Sequence, residues 1–102
     1  WSEAAALIER RVRAFNPQPG ASTIIRGAGL KIWRAGVSAA EGVPGALLEA
    51  SAKGIVVACG AGALSVHELQ RAGGKRLTAA QFLAGFPLAR GEQLEFSAKT
   101  TI

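Results

Sequence analysis

The chain has no aspartate, no tyrosine and no methionine, and it carries one cysteine and one histidine. Each shortage removes a class of function. A single cysteine, Cys59, excludes an internal disulfide framework. One thiol and one imidazole are too few ligands for a protein-only zinc site. His67 has no aspartate to orient it, and the adjacent Glu68 would point to the opposite side of a strand, so a Ser-His-Asp relay is not available. No apolar run approaches the ~20 residues that a membrane-spanning helix needs. Ala4 to Ile8 is too short for the apolar region of a secretory signal and is followed by Glu9. A chain that opens on Trp1 and lacks methionine is expected to be a piece of a longer protein.

What is present is a small globular domain with a basic surplus. The 102 residues suffice for one domain and one modest core. With 49% hydrophobic and 19% charged residues, the composition is that of a folded chain. Twelve Lys and Arg face seven Glu, for a net charge of +5. That balance favours a polyanionic partner: nucleic acid, an anionic membrane surface or a phosphorylated ligand. The cations are clustered. Arg10, Arg11, Arg13, Arg26, Lys31 and Arg34 form an acid-free block over 10–40, and Arg71, Lys75, Arg76 and Arg90 form another over 70–91. A fold that joins the two blocks makes one basic surface.

Residues 1–15 read as a leading helix, with Ser2 as N-cap, Glu3 in its first turn and Ala5, Ile8, Val12 and Phe15 on one face. Glu9 and Arg13 form an i,i+4 pair, with Arg10 and Arg13 on the opposite face. Asn16-Pro17-Gln18-Pro19-Gly20 ends the helix as a stiff connector, and Pro17 pushes Asn16 into an extended conformation. The period then changes. Ser22 to Arg26, Leu30 to Val37, Ala46 to Ala50, Ile55 to Cys59 and Leu64 to Gln70 read as short strands separated by glycine-bearing turns. A bulge is expected at Gly36 and another where the alternation slips at Glu68 and Leu69. Gly73 to Arg76 reads as a loop. Thr78-Ala79-Ala80-Gln81 is a capping box opening a short helix over 78–84. Leu94 to Phe96 is either a closing strand or an anchored end, and 97–102 a tail. The fold class is therefore mainly β. A five- to six-stranded OB-like Greek-key barrel is expected over 21–96, with the two helices attached.

The candidate chemistry is sparse. Cys59 ends an apolar strand, where a cysteine is a small buried hydrophobe. Glu41 and Glu49 flank a Gly/Pro loop and read as surface acids. Gly27-Ala28-Gly29 and Gly60-Ala61-Gly62 read as hairpin turns, since neither leads into a helix N-terminus nor ends in the Gly-Lys-Ser/Thr of a P-loop. Trp33, between Lys31 and Arg34, suits either base stacking or a partly buried core position, and the core position is the expectation.

The segment Arg13-Ala14-Phe15-Asn16-Pro17-Gln18-Pro19-Gly20-Ala21, read with Leu30-Lys31-Ile32-Trp33-Arg34-Ala35, resembles the C-terminal domain of the methionyl-tRNA formyltransferase family. The likeness continues through Pro44-Gly45, Gly54-Ile55, Gly60-Ala61-Gly62-Ala63-Leu64, Leu69-Gln70, Ala72-Gly73-Gly74-Lys75-Arg76-Leu77, Ala80, Phe82-Leu83 and Gly85, over about residues 4–95. Gln18 departs from it, because family members often carry an aromatic between the two prolines. The resemblance implies an OB-like domain that holds initiator methionyl-tRNA. A separate N-terminal Rossmann-like domain of the same protein then transfers the formyl group from 10-formyltetrahydrofolate. That domain's catalytic residues have no counterpart in this chain. The resemblance further implies a cytoplasmic monomer with no membrane partner. The alternative it leaves is a related formyltransferase, acting on an amino sugar nucleotide, or a formyltetrahydrofolate hydrolase or dehydrogenase. In those the domain is structural and binds no RNA. Arg10, Arg13, Lys31, Arg34, Lys75 and Arg76 are the candidate phosphate-facing residues, chosen from the charge pattern and not carried over from the family.

Overall fold

The structure, a computed structural model, describes residues 1–16 and 20–96. Pro17, Gln18 and Pro19 of the expected connector, and the tail 97–102, lie outside the described residues. The elements run in the order α1 (Ala5–Phe15), β1 (Ala21–Ile25), β2 (Ala28–Ser38), β3 (Leu47–Ser51), β4 (Gly54–Ala58), β5 (Ala63–Arg71), β6 (Arg76–Thr78), α2 (Ala79–Gly85) and β7 (Glu95–Phe96). The mainly β expectation holds, and the architecture fits an OB-like fold. Six strands follow one another in the order β3-β4-β5-β2-β1-β7, all antiparallel, and β6 pairs with β5 off that path.

The sheet closes on itself through residues 92–96. At one end of this stretch Glu95 and Phe96 pair with Ile24 and Thr23 of β1. At the other, Gln93 bridges Ala46, Leu47 N–H donates to Glu92 O at 2.7 Å, and Leu94 N–H donates to Gly45 O at 2.8 Å. Leu94 to Phe96 is thus the closing strand of the two readings offered by the sequence. The interior holds Ile25, Ile32, Leu47, Ile55, Val57 and Leu64 from the strands. Ile8 and Val12 of α1 enter from one side, and Phe82 of α2 belongs to the same cluster.

The helix α1 begins at Ala5, not at Ser2, and no side chain caps it. A tertiary contact takes over that task. Ala4 forms a parallel bridge with Ala61, and Ala5 N–H donates to Ala61 O at 2.9 Å. Gly60 N–H donates to Glu3 O at 2.8 Å. Residues 3–4 are therefore held against the β4–β5 hairpin, with Ala4 extended, and the first orphan donor of the helix is satisfied by that hairpin's backbone. Gly60 permits the approach: a side chain there would collide with the carbonyl of Ser2. The expected face holds, with Ala5, Ile8 and Val12 buried, and Glu9 pairs with Arg13 at 2.6 Å. Asn16 is extended, at φ −78° and ψ 144°, as a residue before proline should be.

Three other readings are corrected. The β1–β2 turn consists of Arg26 and Gly27, both at positive φ (52° and 77°), so Ala28 and Gly29 already belong to β2. This is the two-residue turn whose twist matches that of the flanking strands. Residues 76–78, expected as the end of a loop and a cap, form β6 along β5. Gly36 is not a bulge but pairs regularly with Ser65. The capping box is as expected: Gln81 N–H donates to Thr78 Oγ1 and Thr78 N–H to Gln81 Oε1.

Candidate nucleic-acid interface

The β2–β5 ladder slips twice in a row. Ile32 pairs with Leu69, Arg34 with Glu68, and Ala35 with Val66. Trp33 on β2 and His67 on β5 are therefore left without an opposite number. The slip expected at Glu68 and Leu69 is this one. Gly36 lies beside the extra imidazole, where a Cβ would stand 3.4 Å from His67 Nε2, an ordinary contact.

Alternation from the buried Leu30 and Ile32 sets Trp33 on the outer face, half-buried and outside the hydrophobic core cluster, and the irregularity brings Arg34 to the same side. The expected core position is corrected on that point. The indole N–H donates to Gln70 Oε1 at 2.8 Å, and Gln70 Nε2 donates to Gly74 O at 2.7 Å. Two cations stand over the ring, Lys31 Nζ at 4.0 Å from its centroid and the Arg76 guanidinium at 4.6 Å. Strand pairing explains the gathering. Lys31 lies opposite Gln70, and Gln70 opposite Arg76, so one row crosses β2, β5 and β6 beside Trp33. Gly20 lies beneath the Lys31 stem, where any side chain would displace it, and its φ of +85° also suits glycine.

Glu68 ties the next row together. One oxygen accepts from Arg34 Nε at 2.8 Å, the other from Arg76 at 2.7 Å. The hydrogen bond from Arg76, reinforced by the charges of both arginines, holds the Glu68 carboxyl below the usual carboxylate range. All three side chains reach solvent, so the network adds little stability and serves to aim the arginines. The lowered value places the linkage: the pairing is present above the ordinary carboxylate range and is lost as pH falls through the lowered value. A phosphate arriving here competes with Glu68 for two arginines. Glu68→Gln is therefore expected to tighten the hold on any polyanion bound at this face about two- to five-fold and to steepen its salt dependence. Fluorescence anisotropy of a labelled oligonucleotide at two salt concentrations reads this; weaker binding would mean that Glu68 positions the arginines more than it competes for them.

Of the six residues chosen from the charge pattern, Lys31, Arg34 and Arg76 come together. Lys75 is exposed in the adjoining β5–β6 loop. Arg10 and Arg13 are exposed on α1, and Arg13 is engaged by Glu9. No contact joins these two to the Trp33 row among the described residues. The end of α1 does reach it, because Asn16 Nδ2 donates to Val12 O (2.8 Å), Trp33 O (3.0 Å) and Ile32 O (3.3 Å). Beside the row runs a groove of about 390 Å³, lined by residues that include Ser22, Lys31, Gln70, Arg71 and Gly73. Arg71 belongs to the second basic block but not to the six candidates, and Phe86 was not singled out from the sequence. The Arg71 guanidinium stands 4.8 Å from the Phe86 ring centroid, and that of Arg26 stands 5.5 Å away. Fifteen residues separate Arg71 from Phe86 in sequence, and only the docking of α2 brings them together.

The described residues contain no group of three or more His, Cys, Asp or Glu able to hold a metal ion. Cys59 is buried, and burial pushes its thiol above its ordinary value. What the face offers is fixed cations around one aromatic ring, an arrangement suited to holding a polyanion.

Comparison with known proteins shows what the chain is similar to. Residues 1–87 match the family described as formyl transferase, C-terminal domain. The chain is 51% identical over 98 residues to a protein named methionyl-tRNA formyltransferase from Dechloromonas aromatica, covering 96% of this chain and 32% of that protein. Proteins of the same name from Burkholderia vietnamiensis (52% identical, 91% of this chain, 29% of that protein) and Thiobacillus denitrificans (53%, 92% and 31%) are similar to it. The chain spans about a third of the length of these relatives.

Proposed function

We propose, from the premise that this chain belongs to the formyl transferase C-terminal domain family, that it is the tRNA-holding domain of a methionyl-tRNA formyltransferase. Relatives about half identical along nearly its whole length carry that name, and the cations gathered over Trp33 support a role in holding a polyanion. In this reading the substrate is initiator methionyl-tRNA, and the donor is 10-formyltetrahydrofolate. The formyl group passes to the amino group of the esterified methionine in a separate catalytic domain of the same protein. The whole works as a monomer in the cytoplasm.

The contribution of this domain is positional. Lys31, Arg34 and Arg76 meet backbone phosphates, which fix register and orientation without reading sequence. Holding the body of the tRNA places its acceptor end before the donor and makes the encounter effectively intramolecular. Trp33 serves as a rigid floor that keeps Lys31 and Arg76 in place before the RNA arrives. Recognition of the initiator then falls to the catalytic domain.

The test is a titration of the chain against initiator tRNA and a duplex RNA of similar length, at low and moderate salt. Binding that barely distinguishes the two and falls with a log–log slope of about −2 to −4 fits three or four phosphate contacts. An absence of binding even at low salt would remove the tRNA-holding role and leave a structural partner of the catalytic domain.

A further inference from the structure

Three arginines stand over the two aromatic rings of this surface, and their charges are not equally committed. Arg76 is bound to Glu68. Arg26 is gripped by both oxygens of Glu92, at 2.6 and 2.7 Å. That grip, the Arg26 hydrogen bond first and the Ala89 N–H second, holds the Glu92 carboxyl low. Arg71 has no carboxylate partner among the described residues. Its guanidinium rests instead against Phe86, a neutral support that limits its motion and leaves its charge uncompensated. Phe86 is itself held, with its ring 5.2 Å from that of Phe82 and its N–H donating to Phe82 O at 2.9 Å.

Arg71 is also a lining residue of the groove that starts at Lys31 and Gln70. It therefore links the two aromatic–cation clusters, since Gln70 braces Trp33 and its chain neighbour Arg71 stands on Phe86. The remaining lining is the Ser22 side chain, the apolar Leu30 and Ala72, and Gly29 and Gly73, around whose α-carbons there is open space. At about 390 Å³ the groove lies at the small end of the ~300–1,000 Å³ range of ligand clefts, which suits one nucleotide.

We propose that this groove is a second phosphate subsite with Arg71 as its principal cation. The backbone of an RNA strand leaves the Trp33 face, crosses the groove and turns past the end of β5 towards Phe86. The proposal rests on the tRNA reading above and extends it to Arg71, a member of the second basic block that is not among the six candidates.

The experiment compares the unaltered chain with Arg71→Ala, Arg71→Lys, Lys75→Ala and Arg34→Ala, using tRNA and a short single-stranded oligoribonucleotide. Thermal melts confirm that each variant folds. Arg71→Ala is expected to weaken binding about five- to ten-fold and to flatten the salt slope by about one. Arg71→Lys should keep the slope, and Lys75→Ala should do less than Arg71→Ala. Amide NMR supplies a readout that needs no variant: the oligoribonucleotide should shift the Gly29 and Gly73 signals, and inorganic phosphate at the same concentration should not. The subsite is overturned if Arg71→Ala matches the unaltered chain while Arg34→Ala weakens it, or if phosphate alone moves both glycines and RNA does not. An unaltered chain that binds no RNA would sink the tRNA reading itself, and the subsite with it.

Discussion

Trp1→Ala is expected to destabilise the domain by about 3–5 kcal/mol, the usual range for deleting a buried tryptophan or phenylalanine side chain. Trp1 is only 4% exposed although it is the first residue of the chain. Its indole N–H donates to Thr23 Oγ1 at 3.0 Å, and the Thr23 hydroxyl donates onward to Glu95 O at 2.5 Å. The indole thus packs against the core and, through one buried hydroxyl, joins β1 to the stretch that closes the barrel. Removal leaves a cavity, the loss of a large apolar surface, and a threonine short of one donor. Equilibrium unfolding in urea, with the midpoint moving and the slope held, is the measurement. Thr23→Val separates the terms: it keeps the volume and breaks both hydrogen bonds, and about 1–3 kcal/mol is expected from stranding the indole N–H and the Glu95 carbonyl. A Trp1→Ala loss below about 1 kcal/mol would mean that the indole rests on the barrel without bracing it.

The largest effect on binding is expected from Lys31→Ala, Arg34→Ala and Arg76→Ala combined. The triple variant removes every cation of the Trp33 row and leaves Glu68 unopposed. Affinity for tRNA at moderate salt should fall about 100-fold, and the salt slope should flatten by up to about three. Stability should change by less than about 1 kcal/mol, because exposed ion pairs contribute little. Lys53→Ala, in the exposed β3–β4 turn, controls for net charge alone and should leave binding nearly intact. An equal loss in the control and the triple variant would replace a defined face by a general attraction.

What could be read from the sequence was what is local. The capping box at Thr78 and Gln81, the extended Asn16, the apolar face of α1 and the positions of the five longer strands each rest on residues within one turn or one hairpin. The misread features depend on distant partners. Ser2 looks like an N-cap until Ala61 supplies the bond that makes a cap unnecessary. Three residues with a polar–apolar–polar pattern cannot announce β6 without β5 beside them. The face was half legible for the same reason. Lys31 and Arg34 share a strand and Arg76 sits in the second basic block, so charge clustering found them. Trp33 was assigned to the core because a tryptophan of a small barrel is usually part of it, although alternation sets it opposite the buried Leu30 and Ile32; what alternation does not foresee is the slip that brings Arg34 to the same side. Arg71 was passed over because its aromatic support comes from α2.

The closing stretch Glu92–Phe96 also sets an order in which the domain can loosen. It is held by a two-residue strand, one isolated bridge, a few backbone hydrogen bonds, the Thr23 hydroxyl on Glu95 O and the Arg26–Glu92 pair, whereas β2 and β5 are paired along eight registered positions. Amide protection should be graded accordingly, with Leu94 and Leu47 exchanging through a local opening and Val66 and Leu69 only through global unfolding. In the opened form the Trp33 row stays whole, since its strands do not take part. Glu92 moves away with the stretch, and Arg26 is released beside Arg71 over the Phe86 ring. The fraying of one short strand therefore adds a positive charge at the far end of the groove, and an RNA seated there would favour the open form that water alone disfavours.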